Sequence, residues 1–143
     1  MNDFSECPTE GAIGLLTLLI KSGRVAESRL DDALASVDLT FVKWRALDAL
    51  VKLDGPAAPT LLAEKLHCVK SNVTQLVDKL EAESIVRRVA DPGDRRSTLV
   101  EITATGALQH KIGRDALESA TQSLFAGYDD SAKTSLRQLL NLI

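Results

Sequence analysis

Most of this chain repeats its apolar residues every three or four positions, the spacing of a helix face, and only one stretch alternates as a strand does. From Thr9 to about Ser36, the residues Leu15, Leu18, Leu19, Val25, Leu30 and Leu34 follow the helical spacing. Gly11, Gly14 and Gly23 weaken that helix, each costing about 1 kcal/mol in a helix interior. A second helix is predicted after Asp38 or Thr40, either of which can cap it, with Trp44, Leu47, Leu50 and Val51 on one face. The turn-forming "DGPAAP" ends it, and "PTLLAEKLH" follows as a short helix with Pro59 in its first turn. The segment "KSNVTQLVDKLEAES", Lys70 to Ser84, carries an apolar stripe of Val73, Leu76, Val77 and Leu80. Its opposite face holds Lys70, Ser71, Asn72, Gln75 and Lys79, with Thr74 beside them.

Residues 85–90 and 97–103 then read as two strands around a turn at 91–95. A long helix from Thr103 or Thr105 to about Phe125 is predicted to bury Leu108, Ile112, Ala116, Ala120 and Leu124. After "GYDD" a final helix carries Leu136, Leu139, Leu140 and Ile143. The fold class is mainly α with a small β hairpin: a helix-turn-helix followed at once by a two-stranded wing. This is the winged helix-turn-helix arrangement, in which the second helix of the pair enters the DNA major groove. The 143 residues form one domain, with the winged helix-turn-helix at about 40–103 and flanking helices at about 9–36 and 104–143. Residues 1–8 read as a loose arm.

Charge sharpens this picture. The chain is acidic overall, with a formal net charge of -3. Residues 65–96 nevertheless hold seven basic and five acidic residues, net +2, while the remainder holds ten basic and fifteen acidic, net -5. Basic groups thus gather where a polyanion would be met. Hydrophobic residues make up 45% of the chain, enough for a core without disulfides or a structural metal. The run "IGLLTLLI" is too short to span a bilayer and is preceded by acidic rather than basic residues, so neither a membrane span nor a signal peptide is expected. Cys7 and Cys68 are too few and too far apart for a disulfide framework, and the chain reads as cytoplasmic. No Ser-His-Asp, Cys-His or phosphate-loop arrangement occurs, so no enzyme is expected. His67 and His110 are too few for a typical imidazole metal site, and no cofactor is implied.

These residues resemble the MarR family of dimeric winged-helix transcription regulators. The combination of "VTQLVDKLE", "VRR", "DPGDRR" and "LVEITATG" at these spacings carries the resemblance, with "FVKWRALDAL" and "PTLLAEKL" similar to the helices before it. There are departures. Ala58 stands where Ser or Thr usually precedes the Pro of the third helix, and Val69 where Ser often precedes the recognition helix, leaving Ser71 to take over capping. Ser84 stands where Gly usually turns the chain into the wing, and Gly93 where a further basic residue often sits.

The resemblance implies that Arg96 enters the minor groove, with Asp94 orienting its guanidinium through a bidentate pair and Arg95 beside it. Ser71, Asn72 and Gln75 are candidates for base edges, since amides suit adenine and hydroxyls suit several bases. Thr74 lies on the same side. Lys70, Lys79, Arg87 and Arg88 are candidates for phosphate contacts or for structural ion pairs, and Arg87 and Arg88 alternate on their strand. The resemblance also implies a homodimer, with Leu15, Leu18 and Leu19 interlocking with Leu136, Leu139, Leu140 and Ile143, and a double-stranded, pseudo-palindromic operator as partner. A small apolar or aromatic ligand between the dimerisation helices and the winged domain would place Phe41 and Trp44 at its pocket, and Trp44 as plain core is the rival reading. Cys68 is expected as a small buried hydrophobe. Two alternatives to a ligand-responsive repressor stay open: a winged-helix protein-interaction module without DNA, and a thiol-based redox regulator.

Overall fold

The structure, a computed structural model, describes residues 11–142. The expected arm, Cys7, the helix start at Thr9 and Ile143 lie outside the described residues. Helix α1 (Gly11–Leu34) passes into a 3-10 turn (Ala35–Val37) closed by Asp38 in the left-handed conformation. Helix α2 (Phe41–Leu53) starts at Thr40, whose hydroxyl accepts from the Lys43 N–H at 3.3 Å. Of the two caps open in the sequence, Thr40 is the one used, and Asp31 of α1 accepts the Phe41 N–H at 2.6 Å. Helix α3 (Pro59–Leu66) and helix α4 (Lys70–Ala82) form the helix-turn-helix. Strands β1 (Val86–Asp91) and β2 (Asp94–Ile102) pair antiparallel, then α5 (Ala104–Leu124) and α6 (Asp130–Leu140) complete the chain.

The core lies in the winged domain. Leu47 and Leu50 of α2, Leu62 of α3, Val77 and Leu80 of α4 and Val100 of β2 are all buried, and Leu34 at the end of α1 joins them. The α2–α3 link adds an edge to the hairpin that the apolar pattern does not reveal. Ala57 and Val100 exchange backbone hydrogen bonds at 2.9 and 2.8 Å. Thr103 stitches α5 to the wing: its hydroxyl accepts from the Gly106 N–H at 3.1 Å and lies 2.8 Å from the Ser84 carbonyl.

The apolar stripe expected of α5 is corrected. Leu108 and Ile112 point away from the rest of the chain, and the buried face is Gly106, His110, Gly113 and Leu117. Close approach explains the change. A Cβ at Gly106 would stand 2.2 Å from the Ile85 carbonyl oxygen, and one at Gly113 would stand 2.9 Å from both Leu34 and Trp44. The helix therefore docks through its small residues, which leucines on the same face would hold off. The flanking helices are also less buried than their apolar content suggests. In α1 only Gly14 and Leu34 are buried, and α6 buries no residue at all.

Candidate DNA interface

The α3–α4 turn is made by His67, held at φ 53° with its N–H on the carbonyls of Ala63 and Glu64. Cys68 is half-buried against the core, next to the turn, and its N–H reaches Ala63 O at 3.1 Å. Helix α4 begins at Val69, which has no side-chain acceptor to offer. The capping role expected of Ser71 is corrected: Ser71 already lies inside the helix, one residue past its first position, where its hydroxyl is too late to serve as cap. Lys70, Ser71, Asn72, Thr74, Gln75 and Lys79 are all brought to one exposed face, opposite buried Val73, Val77 and Leu80. Thr74 turns its hydroxyl back onto the Lys70 carbonyl at 3.2 Å, so its hydrogen is engaged within the helix. Among the described residues, the side chains of Lys70, Ser71, Asn72, Gln75 and Lys79 make no hydrogen bond or ion pair.

The chain leaves α4 through Ser84 at φ 60°, the left-handed region where the sequence lacks the usual glycine. The wing differs in detail from the expected hairpin. Its turn is only Pro92–Gly93, and residues 91–95 are not a loop, because β2 starts at Asp94. Register is regular from Val86↔Ile102 to Ala90↔Thr98, then jumps to Asp91↔Asp94. Arg95, Arg96 and Ser97 occupy that bulge without Cα partners, and both arginines are exposed. The expected Asp94–Arg96 side-chain pair is corrected. The Asp94 carboxylate accepts the backbone N–H of Arg96 at 2.9 Å, a local turn bond that short acidic side chains form readily. Asp91 does the same for the Gly93 N–H at 2.8 Å. Among the described residues the Arg96 guanidinium has no carboxylate partner.

Of the two readings open for the strand arginines, phosphate contact or structural ion pair, both adopt the ion pair. Arg87 pairs across the hairpin with Glu101 at 2.6 Å. Arg88 lies back along α4 and bonds Asp78 at 2.5 Å and Glu81, while its own N–H donates to Glu81 at 3.0 Å. The bond to Asp78, then that to Glu81, raises the Arg88 pKa above its ordinary value against the opposing effect of burial. Both guanidinium groups are thus engaged by carboxylates rather than presented free. Lys43 of α2 likewise pairs with Glu83 at 2.5 Å. The carboxylates around α4 are therefore neutralised from within, while Lys70, Lys79, Arg95 and Arg96 remain unpaired among the described residues.

A second feature lies between α1, α2 and α5. A cavity of about 440 Å³ is lined by Leu30, Phe41, Trp44, Asp48, Arg114 and Leu117, among others. Phe41 and Trp44 stack at 6.3 Å, Trp44 stacks on His110 at 5.2 Å, and the Trp44 indole donates to the His110 carbonyl at 3.1 Å. Trp44 is thus at once core and cavity wall. Sequence reasoning missed its neighbour. Asp48 is buried and takes His110 at 3.0 Å, Arg114 at 3.2 Å and Lys52 at 2.6 Å. Burial acts to raise the Asp48 pKa, but the bonds and charges of Lys52 and His110 outweigh it and hold the carboxyl below its ordinary range. The signal was available: Asp48 sits four residues after Trp44, on the apolar side of α2.

A helix-turn-helix whose second helix and wing tip offer free cations, amides and hydroxyls defines a winged-helix DNA-binding protein. The chain matches the model of the MarR family over residues 37–97. It is 26% identical over 136 residues to the HTH-type transcriptional regulator PecS of Dickeya dadantii, covering 93% of this chain and 78% of that protein. Its fold superposes on an Escherichia coli MarR variant complexed with operator DNA with a TM-score of 0.86, at 21% identity over 95% of this chain and 97% of that one. CouR of Rhodococcus jostii RHA1, bound to p-coumaroyl-CoA, superposes with a TM-score of 0.74 at 24% identity, covering 86% of each chain. The chain is a DNA-binding transcriptional regulator. No helix among the described residues is long and apolar enough to cross a membrane.

Proposed function

We propose that this protein is a cytoplasmic, ligand-responsive repressor that binds a pseudo-palindromic double-stranded operator as a homodimer. The observation that carries the reading is the separation of charge on the α4–wing face. Its carboxylates are engaged by Arg88, Lys43 and Arg87 or by backbone N–H groups, and its free cations point outward. Ser71, Asn72 and Gln75 read base edges from α4, with Thr74 at their flank, while Lys70 and Lys79 hold phosphates. Arg96, with its backbone fixed by Asp94, enters the minor groove, and Arg95 adds phosphate attraction. Repression accords with the names of relatives such as the transcriptional repressor NicR of Pseudomonas putida, 33% identical over 69 residues.

Dimerisation is supported by the apolar surface of the flanking helices. Leu15 is 70% exposed and Leu139 63%, and Leu18, Leu136 and Leu140 are exposed too, with Leu19 half-exposed. A second copy would cover them and set two recognition helices about one DNA turn apart. The Phe41–Trp44 cavity suits an apolar or aromatic ligand wedged between α1, α5 and the winged domain. Trp44 is the sole tryptophan, so such a ligand should change its fluorescence.

The test is a duplex selected by the protein from a random-sequence pool. Its affinity should fall steeply and linearly on a log–log salt plot, and Arg96→Ala should lose more than Arg95→Ala. A shallow salt dependence with no sequence selected would overturn the reading. In sedimentation, the wild type should be a dimer at micromolar concentration and the Leu139→Asp, Leu140→Asp double variant should not.

A further inference from the structure

We infer that Arg88 is a positioning residue that sets the wing against the recognition helix and so determines sequence selectivity without touching DNA. This rests on the DNA-binding reading of α4 and the wing.

Arg88 is the third residue of β1, and its side chain runs back across α4 instead of outward. It reaches Asp78 at 2.5 Å and Glu81 as well, two carboxylates one helical turn apart. Its backbone is held to the same helix, through the N–H donated to Glu81 at 3.0 Å. One residue of the wing is therefore tied to α4 at three points, by main chain and side chain together. The Arg88 side chain is 30% exposed, so it is partly shielded from solvent. A planar guanidinium can bridge two carboxylates in fixed geometry, which an ammonium cannot.

The link between the two elements needs such a tie. Only three residues separate α4 from β1, and one of them, Ser84, sits in the strained left-handed region. Asp78 is itself exposed and lies one residue from Lys79 on the face offered to DNA. Without Arg88 the base of the wing stays pinned at Val100 and Thr103, but the part beyond it loses its side-chain tie to α4 and is freer to rock. A rocking wing still attracts phosphates, but Arg96 and the α4 amides no longer meet the minor and major grooves in one fixed register. The loss falls on selectivity, because backbone contacts are sequence-independent and base contacts are not.

The decisive variant is Asp78→Asn, an exposed helix position whose change leaves the fold intact. It removes a negative charge from the DNA-facing side, so simple electrostatics predicts tighter binding to every DNA. The positioning role predicts a different split. Affinity for sonicated random-sequence duplex should rise slightly, and affinity for the duplex selected by the wild type should fall, lowering their ratio about 5-fold. The charge-balanced double variant Arg88→Met, Asp78→Asn should lose the same ratio with random-duplex affinity and salt slope unchanged. Equal tightening on both DNAs by Asp78→Asn overturns the inference. So does a double variant that loses both affinities equally with a salt slope shallower by about one unit, the mark of a direct phosphate contact. A wild type that selects no duplex removes the underlying DNA-binding reading instead, and the inference with it.

Discussion

Replacing Asp48 by Asn should destabilise the protein by about 2 kcal/mol at neutral pH, and the loss should vanish in acid. The magnitude follows from its three partners. Lys52 is 71% exposed and Arg114 nearly half exposed, so each of those pairs is worth about 0–1 kcal/mol. His110 is almost fully buried, and its bond to the carboxylate contributes about 1–2 kcal/mol. Asparagine keeps one acceptor oxygen for one donor, but its amide turns N–H groups toward donors that need an acceptor. For a chain of this length, about 2 kcal/mol lowers the thermal midpoint by about 4–8 °C. Because the Asp48 carboxyl titrates lower in the folded protein than in the unfolded chain, its contribution is complete above the ordinary carboxylate range. It is lost as pH falls through the depressed folded value. The gap between wild type and Asp48→Asn should therefore begin to narrow below about pH 4, the ordinary carboxylate value. Melting both proteins at pH 7 and pH 3, at one protein concentration, measures this. An Asn variant as stable as wild type at pH 7 would show that the cost of burying the carboxylate exceeds what its partners return. A gap unchanged at pH 3 would show that shape, not charge, holds α2 to α5.

Val69→Ser and Ser84→Gly should each stabilise the protein by about 1 kcal/mol, the first by supplying a missing cap and the second by relieving a left-handed non-glycine residue; a lowered urea midpoint for either contradicts the local geometry. Gly106→Ala should cost about 3 kcal/mol, since its Cβ would press on the Ile85 carbonyl at 2.2 Å, and an unchanged midpoint would mean that α5 does not dock this closely.

The order of elements, the helix-turn-helix and the wing were legible because each rests on local signals: apolar spacing, prolines at turns, hydroxyl caps. Thr40, Pro59 and Ser84 all act where the sequence places them. The face of α5 was not legible. Its leucines and isoleucine outnumber its glycines, and periodicity weighs size, whereas docking at this helix is governed by how near the backbone must come to Ile85 and Trp44. Leu108 and Ile112 are left facing outward. The same holds for most of α1 and for α6, whose apolar residues, Leu30 and Leu34 apart, are left largely exposed. A periodic stripe shows that a helix will bury one side, not which molecule will bury it.

Charge was legible in sum and illegible in pairing. Counting residues 65–96 yields a modest net of +2, and that number understates what DNA would meet. Asp78 and Glu81 are spent on Arg88, ten and seven residues along the chain, and Glu83 on Lys43, forty residues away. Asp91 and Asp94 accept backbone N–H groups at the wing turn. What remains unpaired on α4 and the bulge is positive: Lys70, Lys79, Arg95 and Arg96. The same pairing takes Arg87 and Arg88 out of the set of free cations, although by sequence they look as able to meet phosphate as the arginines of the tip. Separating internal from external arginines needs the geometry of the hairpin. Arg87 and Arg88 lie in the regular ladder, where neighbouring carboxylates are within reach, whereas Arg95 and Arg96 lie in a bulge where neither guanidinium makes an ion pair among the described residues. The acidic balance of the whole chain and a cationic DNA-facing edge are then compatible, because the recognition helix neutralises its own acids before any phosphate approaches.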